Sequence, residues 1–154
     1  MNENVKLNIK FLWLMAFVAA MGGFLFGYDW VVVGGAKNFY EPYFGITSPT
    51  MKGWGTSSAL IGCIFGALLC FALSDKYGRK RLLILSGFLF AVAAIGTASS
   101  NNFTVYNIYR IVGGFGIGIA LNLSPMYIAE MSPSNMRGKF VSVNQLMIMI
   151  GILA

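Results

Sequence analysis

The chain has 154 residues, of which 57% are apolar and only 10% charged, with eleven Lys and Arg against five Asp and Glu. A soluble domain carries about 25% charge, so a water-facing globular fold is excluded. Disorder is excluded with it, because disordered chains are poor in apolar residues. What remains is an integral membrane protein, and its net charge of +6 gathers beside apolar runs, where it orients a membrane protein rather than binding nucleic acid.

The first predicted helix covers 11–36. It is uncharged from Phe11 to Tyr28, carries Asp29, and is uncharged again to Ala36. The run is longer than a signal-peptide core of about 7–15 residues, and more apolar segments follow, so it is read as a helix that is retained. Predicted helices follow over 54–74, 82–100 and 104–129. Cys63 and Cys70 lie within the second and are read as small apolar fillers. A fifth helix opens at Phe140 and reaches Ala154, about 22 Å at 1.5 Å per residue. That is short of a hydrocarbon core of roughly 30 Å, so residues 1–154 are expected to be a truncated, N-terminal part of a larger bundle.

The bases between runs set an orientation. Lys6, Lys10, Lys76, Arg79, Lys80, Arg81, Arg137 and Lys139 fall on one side, and only Lys37 and Lys52 on the other. By the positive-inside rule, the N-terminus and the loops near 75–81 and 130–139 are expected in the cytoplasm. Glycines spaced four apart, Gly23/Gly27, Gly62/Gly66 and Gly114/Gly118, suit close helix packing in a bundle.

Two charges stand inside apolar runs. A charge at the membrane centre costs about 2.5–3.5 kcal/mol, so each calls for a partner or a function. Asp29, on an outward helix, and Arg110, on an inward one, reach similar depth from the same surface, which predicts an ion pair facing a polar cavity. The alternative is that both snorkel to the interface. A second pattern lies in the loops. Asp75 and Glu130 end helices, while Lys80 and Arg81 open the third and Arg137 and Lys139 the fifth, each against the helix dipole. Pairing of Asp75 and Glu130 with Arg79 and Arg137 would form a breakable latch, the alternative being solvated interfacial charge. Gln145 and Asn122 are polar residues within apolar helices, suited to interhelical hydrogen bonds or to a polyhydroxyl ligand. Phe26 and Tyr28 offer aromatic faces near Asp29. The chain has no His and no nucleophile motif, so catalysis is not expected, and no cofactor or metal is implied.

Five ordered motifs then point to a family. Gly22 to Asp29 (GGFLFGYD) resembles the helix-1 signature of the sugar porter family within the major facilitator superfamily. Asp75 to Arg81 (DKYGRKR) is similar to the superfamily loop between helices 2 and 3. Tyr109-Arg110 with Gly113 and Gly114, the segment Pro125 to Gly138, and Asn144-Gln145-Leu146 resemble the family's helix 4, helix 4–5 and helix 5 motifs. The resemblance extends to bacterial proton-coupled sugar symporters and facilitative glucose transporters.

It implies an all-α integral membrane protein of the major facilitator fold, represented by helices 1 to 4 and most of helix 5 of its N-terminal half. It further implies a multi-pass plasma-membrane location (the inner membrane in a Gram-negative bacterium). The implied partners are a monosaccharide (hexose, pentose or inositol), a proton, the lipid bilayer and a C-terminal half required for transport. By the same resemblance, Gln145 and Phe26 would contact sugar, and Asp29 with Arg110 would couple the proton. Asp75, Gly78, Arg79, Lys80, Glu130 and Arg137 would form the cytoplasmic latch. Phe71 stands where the loop motif has Gly, which places a large side chain at an expected close crossing. Facilitated diffusion on the same fold, and a non-transporting membrane fragment, are the competing readings.

Overall fold

The computed structural model describes residues 9–154; Lys6, one of the bases used for orientation, lies outside them. The described residues form five helices joined by short connections: α1 (Ile9–Tyr43), α2 (Pro49–Tyr77), α3 (Arg79–Ala98), α4 (Phe103–Met131) and α5 (Arg137–Leu153). The first four are long and apolar enough to cross a membrane, and α5 has 17 residues.

Every helix is displaced from its predicted bounds, most at the start of α2 and the end of α1. The predictions stopped at the limits of uncharged sequence, but a helix ends where its backbone finds a stop, not where lipid would end. α1 runs seven residues beyond Ala36, to Tyr43, and closes through Ile46 N–H to Glu41 O (2.9 Å) with Gly45 at φ 63°. α2 begins at Pro49, whose fixed φ and missing N–H suit the first helical position, after an extended Ser48. α2 and α3 are joined by Gly78 alone, at φ 81° and ψ 143°, a conformation open essentially to glycine.

The α4 helix is the hub, packing against α1, α2, α3 and α5, with Ile119, Leu123 and Ile128 almost fully buried. Glycine makes this possible. On the α2 seam, a Cβ on Gly62 or Gly66 would strike the backbone of Ile111 or Phe115, and one on Gly114 or Gly118 that of Ala59 or Cys63. The two helices therefore touch backbone to backbone, which lets dispersion forces act where lipid gives no hydrophobic drive between helices. A second seam of the same kind joins α1 to α5. There a Cβ on Gly27 would meet Ile148, and one on Gly151 would meet Phe24. α3 lies on a third face of α4, with Gly113 against Ala93 and Gly116 against Ser86 and Leu89.

Polar atoms also tie the helices. Buried Ser124 of α4 donates to the Ala19 carbonyl of α1 and lies 3.0 Å from the amide of Asn144 in α5. Asn122 does not bridge helices, because its amide donates to the Gly118 carbonyl of its own helix at 2.8 Å. Away from these seams Leu14, Ile64, Leu68, Phe88 and Ile95 are exposed, as apolar outer faces are in a bundle surrounded by lipid.

Gly114→Val should destabilise the bundle by about 1–3 kcal/mol through overpacking at the α2 seam. Gly87→Ala, which meets nothing within 4 Å, should be neutral or slightly stabilising. Thermal unfolding in detergent compares the two, and equal midpoints would refute the seam.

Candidate functional site

Asp29 lies midway along α1 and Arg110 two turns into α4. The guanidinium Nη1 donates to both carboxylate oxygens, at 2.9 and 3.0 Å. Only 10% of the Arg110 side chain and 19% of the Asp29 side chain are exposed. Because α1 continues to Tyr43, Asp29 lies in the interior of the helix and not at its end. The Gly114–Ala59 contact lies one turn along α4 from Arg110, so the seam that draws α2 and α4 together also fixes the guanidinium beneath α1.

The pair opens into a cavity of about 230 Å³ between α1 and α2, floored by α4. Phe26, Trp30, Val33 and Lys37 line it from α1, Thr56 and Cys63 from α2, and Arg110 and Ile117 from α4. The lining is mostly apolar, which strengthens the ion pair and makes an unpaired charge there costly. Arg110 Nε is buried with no hydrogen-bond partner, so the guanidinium holds a donor in reserve. An aromatic cluster caps the Tyr43 end of the bundle, in which Tyr40, Ile46 and Tyr106 are buried against Phe44 and Phe103. The Tyr40 and Tyr106 rings lie 5.2 Å apart, and Glu41 pairs with Lys52 at 2.7 Å across the α1–α2 connection.

At the opposite end, Arg79, the first residue of α3, forms an ion pair with Glu130 in the last turn of α4. Each charge alone opposes its helix dipole, and the pair offsets both. Asp75, Gly78, Arg79, Lys80 and Glu130 surround one open cavity of about 580 Å³ with Tyr127. The expected four-charge pairing is corrected here. Among the described residues Asp75 and Arg137 form no ion pair, and Arg137 is exposed on α5 outside this cavity. Phe71 is 58% exposed on α2 and packs against no helix among the described residues.

The two expected sugar contacts are separated. Phe26 lines the Asp29 cavity, whereas Gln145 is exposed on α5 and does not line it. Neighbouring Asn144, not Gln145, turns inward, where a Cβ on Gly23 would meet it. Ser124 and Asn144 were missed as a buried polar junction; the signal was available as a small hydroxyl and an amide in two apolar helices.

The sequence model of the family described as "Sugar (and other) transporter" matches residues 15–154. A D-xylose transporter of Levilactobacillus brevis is 44% identical over 137 residues, covering 89% of this chain and 30% of that protein. An arabinose-proton symporter of Bacillus subtilis is 40% identical over 147 residues, covering 96% of this chain and 32% of that protein. The solved structure of the proton:xylose symporter XylE bound to 6-bromo-6-deoxy-D-glucose is similar with a TM-score of 0.89 and 35% identity, covering 95% of this chain and 36% of that one. The chain thus spans about a third of the length of these relatives.

Arg110→Met alone should cost about 3–5 kcal/mol by stranding a buried carboxylate, while adding Asp29→Leu should recover most of the loss. Denaturation midpoints of the single and double variants test this, and a double variant no better than the single would refute the pairing energetics.

Proposed function

This chain belongs to the sugar (and other) transporter family, and from that premise we propose that it forms the N-terminal half-bundle of a secondary transporter that moves a monosaccharide together with a proton. Its four apolar spans and its family make it a multi-pass membrane protein. In the proposed arrangement the N-terminus and the Gly78 end face the cytoplasm of the plasma membrane, and a C-terminal half completes the sugar site.

The observation that carries the proposal is the Asp29–Arg110 pair, a carboxylate held in an apolar cavity by one cation. A proton arriving at Asp29 removes its negative charge and with it most of the attraction to Arg110. α1 and α4 are then free to shift relative to each other. That coupling gives protonation a mechanical consequence, and loss of the proton on the other side restores the pair. Phe26 supplies an aromatic wall beside the carboxylate, suited to the apolar face of a sugar ring. Gln145, exposed on α5, offers both a donor and an acceptor to sugar hydroxyls from the side left open toward the second half. At the Gly78 end, the Arg79–Glu130 pair, ringed by Asp75, Gly78 and Lys80, serves as a contact that must part when the cytoplasmic side opens. Arg137 contributes positive charge to that side. Alternating access by rocking of two halves around a midplane site is the motion this arrangement serves.

In a full-length transporter that contains this half-bundle, Asp29→Asn should abolish proton-driven sugar accumulation while sparing exchange of sugar across the membrane. Accumulation at the wild-type level in that variant would overturn proton coupling through Asp29. Gln145→Ala should weaken sugar binding about tenfold, the loss of roughly 1.4 kcal/mol expected of a hydrogen-bonded contact. Equilibrium binding of a sugar panel to that full-length protein measures it, and an unchanged affinity would remove Gln145 from the site.

A further inference from the structure

A second groove on α4, of about 380 Å³, lies between α1 and α3, where the Asp29 cavity lies between α1 and α2. Its lining runs from Met15 to Leu25 on α1, from Lys80 to Phe90 on α3 and from Gly116 to Tyr127 on α4. Each stretch rises about 15–17 Å at 1.5 Å per residue, half of a hydrocarbon core of roughly 30 Å. The groove therefore starts at the Gly78 end of the bundle and stops near mid-membrane. A membrane-spanning helix would need a seat twice as long, whereas the acyl chain of a lipid in one leaflet has this reach. The walls are apolar, since Ser86 returns its hydroxyl to the Leu83 carbonyl of its own helix at 2.8 Å. A Cβ on Gly87 would meet nothing within 4 Å, so this glycine leaves open space where those of the seams meet backbone.

Lys80 is the single charge in the lining, and it stands at the mouth. Lys80 and Tyr127 also line the open cavity of about 580 Å³ at the Gly78 end, so the apolar groove and the polar cavity share a rim. In that cavity Glu130 is taken by Arg79. Lys80 and Arg81 are exposed and form no ion pair among the described residues, which leaves two cations against the one carboxylate of Asp75.

We propose that the α1–α3 groove is a binding site for one anionic phospholipid from the leaflet at the Gly78 end, with an acyl chain against Gly87 and the phosphate at Lys80 and Arg81. Bases just beyond a membrane span attract anionic headgroups in general, and a charged donor strengthens each hydrogen bond to a phosphate oxygen. The groove adds a place for the tail, which turns a diffuse attraction into binding of one lipid per chain. The inference is independent of the sugar and proton reading.

The full chain in dodecyl maltoside is titrated with dioleoyl phosphatidylglycerol or with dioleoyl phosphatidylcholine, and bound lipid is counted by native mass spectrometry. One phosphatidylglycerol should bind about tenfold more tightly than phosphatidylcholine. Lys80→Gln should weaken it about fivefold, as expected of one base near an anionic headgroup, and Lys80→Arg should keep it. Lys139→Gln removes the same charge from the same end, at an exposed position outside both cavities, and should change nothing. Gly87→Phe fills the groove without altering charge and should also weaken binding several-fold. Equal affinity for the two lipids, or equal losses in Lys80→Gln and Lys139→Gln, would reduce the site to surface charge and overturn the proposal. Unchanged binding in Gly87→Phe, or displacement of the lipid by glycerol phosphate, would remove the tail from the groove and overturn it too. Should the phenylalanine variant fail to fold, Gly87→Leu places a smaller plug at the same point. A full-length transporter that contains this half-bundle should retain the same lipid and lose it on Lys80→Gln. Retention by the shorter chain alone would give the groove to another helix and sink the proposal.

Discussion

Backbone-to-backbone contact along α4 is the constraint on which this structure depends. Lipid is as apolar as the helices themselves, so burial of leucines against leucines gains little, and association rests on how closely two helices can approach. Gly62, Gly66, Gly114 and Gly118 remove the side chains that would keep α2 and α4 apart. With α2 fixed on one face, α3 on another and α1 meeting a third, the orientation of α4 about its own axis is determined. That orientation turns Arg110 toward α1. A looser seam would leave the guanidinium free to rotate toward another face, and Asp29 would be buried without a partner.

The ion pair is therefore a product of packing and not its cause. Its attraction is large in an apolar cavity, but so is the cost of withdrawing both charges from water, and the two nearly cancel. What the pair supplies is a difference between two protonation states. The polar junction of Ser124, Ala19 and Asn144 lies along the same interface of α1, α4 and α5 and holds it by neutral hydrogen bonds that a proton on Asp29 does not disturb. One interface thus carries a charge-dependent tie and a charge-independent one.

Much of this was legible in the residues. The membrane class, the order of the helices and the meeting of Asp29 with Arg110 followed from where charge is and is not tolerated in apolar sequence. Four-residue glycine spacing marked the seams. Helix ends were less legible, because hydropathy measures where lipid would begin, whereas Pro49, Gly45 and Gly78 decide where the backbone turns. The loop charges were read only in part. Sign and position suggested pairs, but the choice of Arg79 over Arg137 as the partner of Glu130 depends on the register of α3 against α4. Which face Phe71 takes depends on the same kind of register: Cys70 and Ser74 are buried along α2, and Phe71, one residue off that stripe, is exposed among the described residues.

The single-residue link at Gly78 bears on how such chains can change over time. α2 and α3 leave it in helical geometry on both sides, so an inserted or deleted residue there would rotate α3 by about 100° relative to α4 and carry Arg79 off Glu130. The connections at 44–48, 99–102 and 132–136 have slack, since their residues are not helical. Drift in chain length between descendants of a common ancestor is therefore channelled into those three connections, leaving the α2–α3 hairpin as a fixed ruler against which sequences of different length can be aligned.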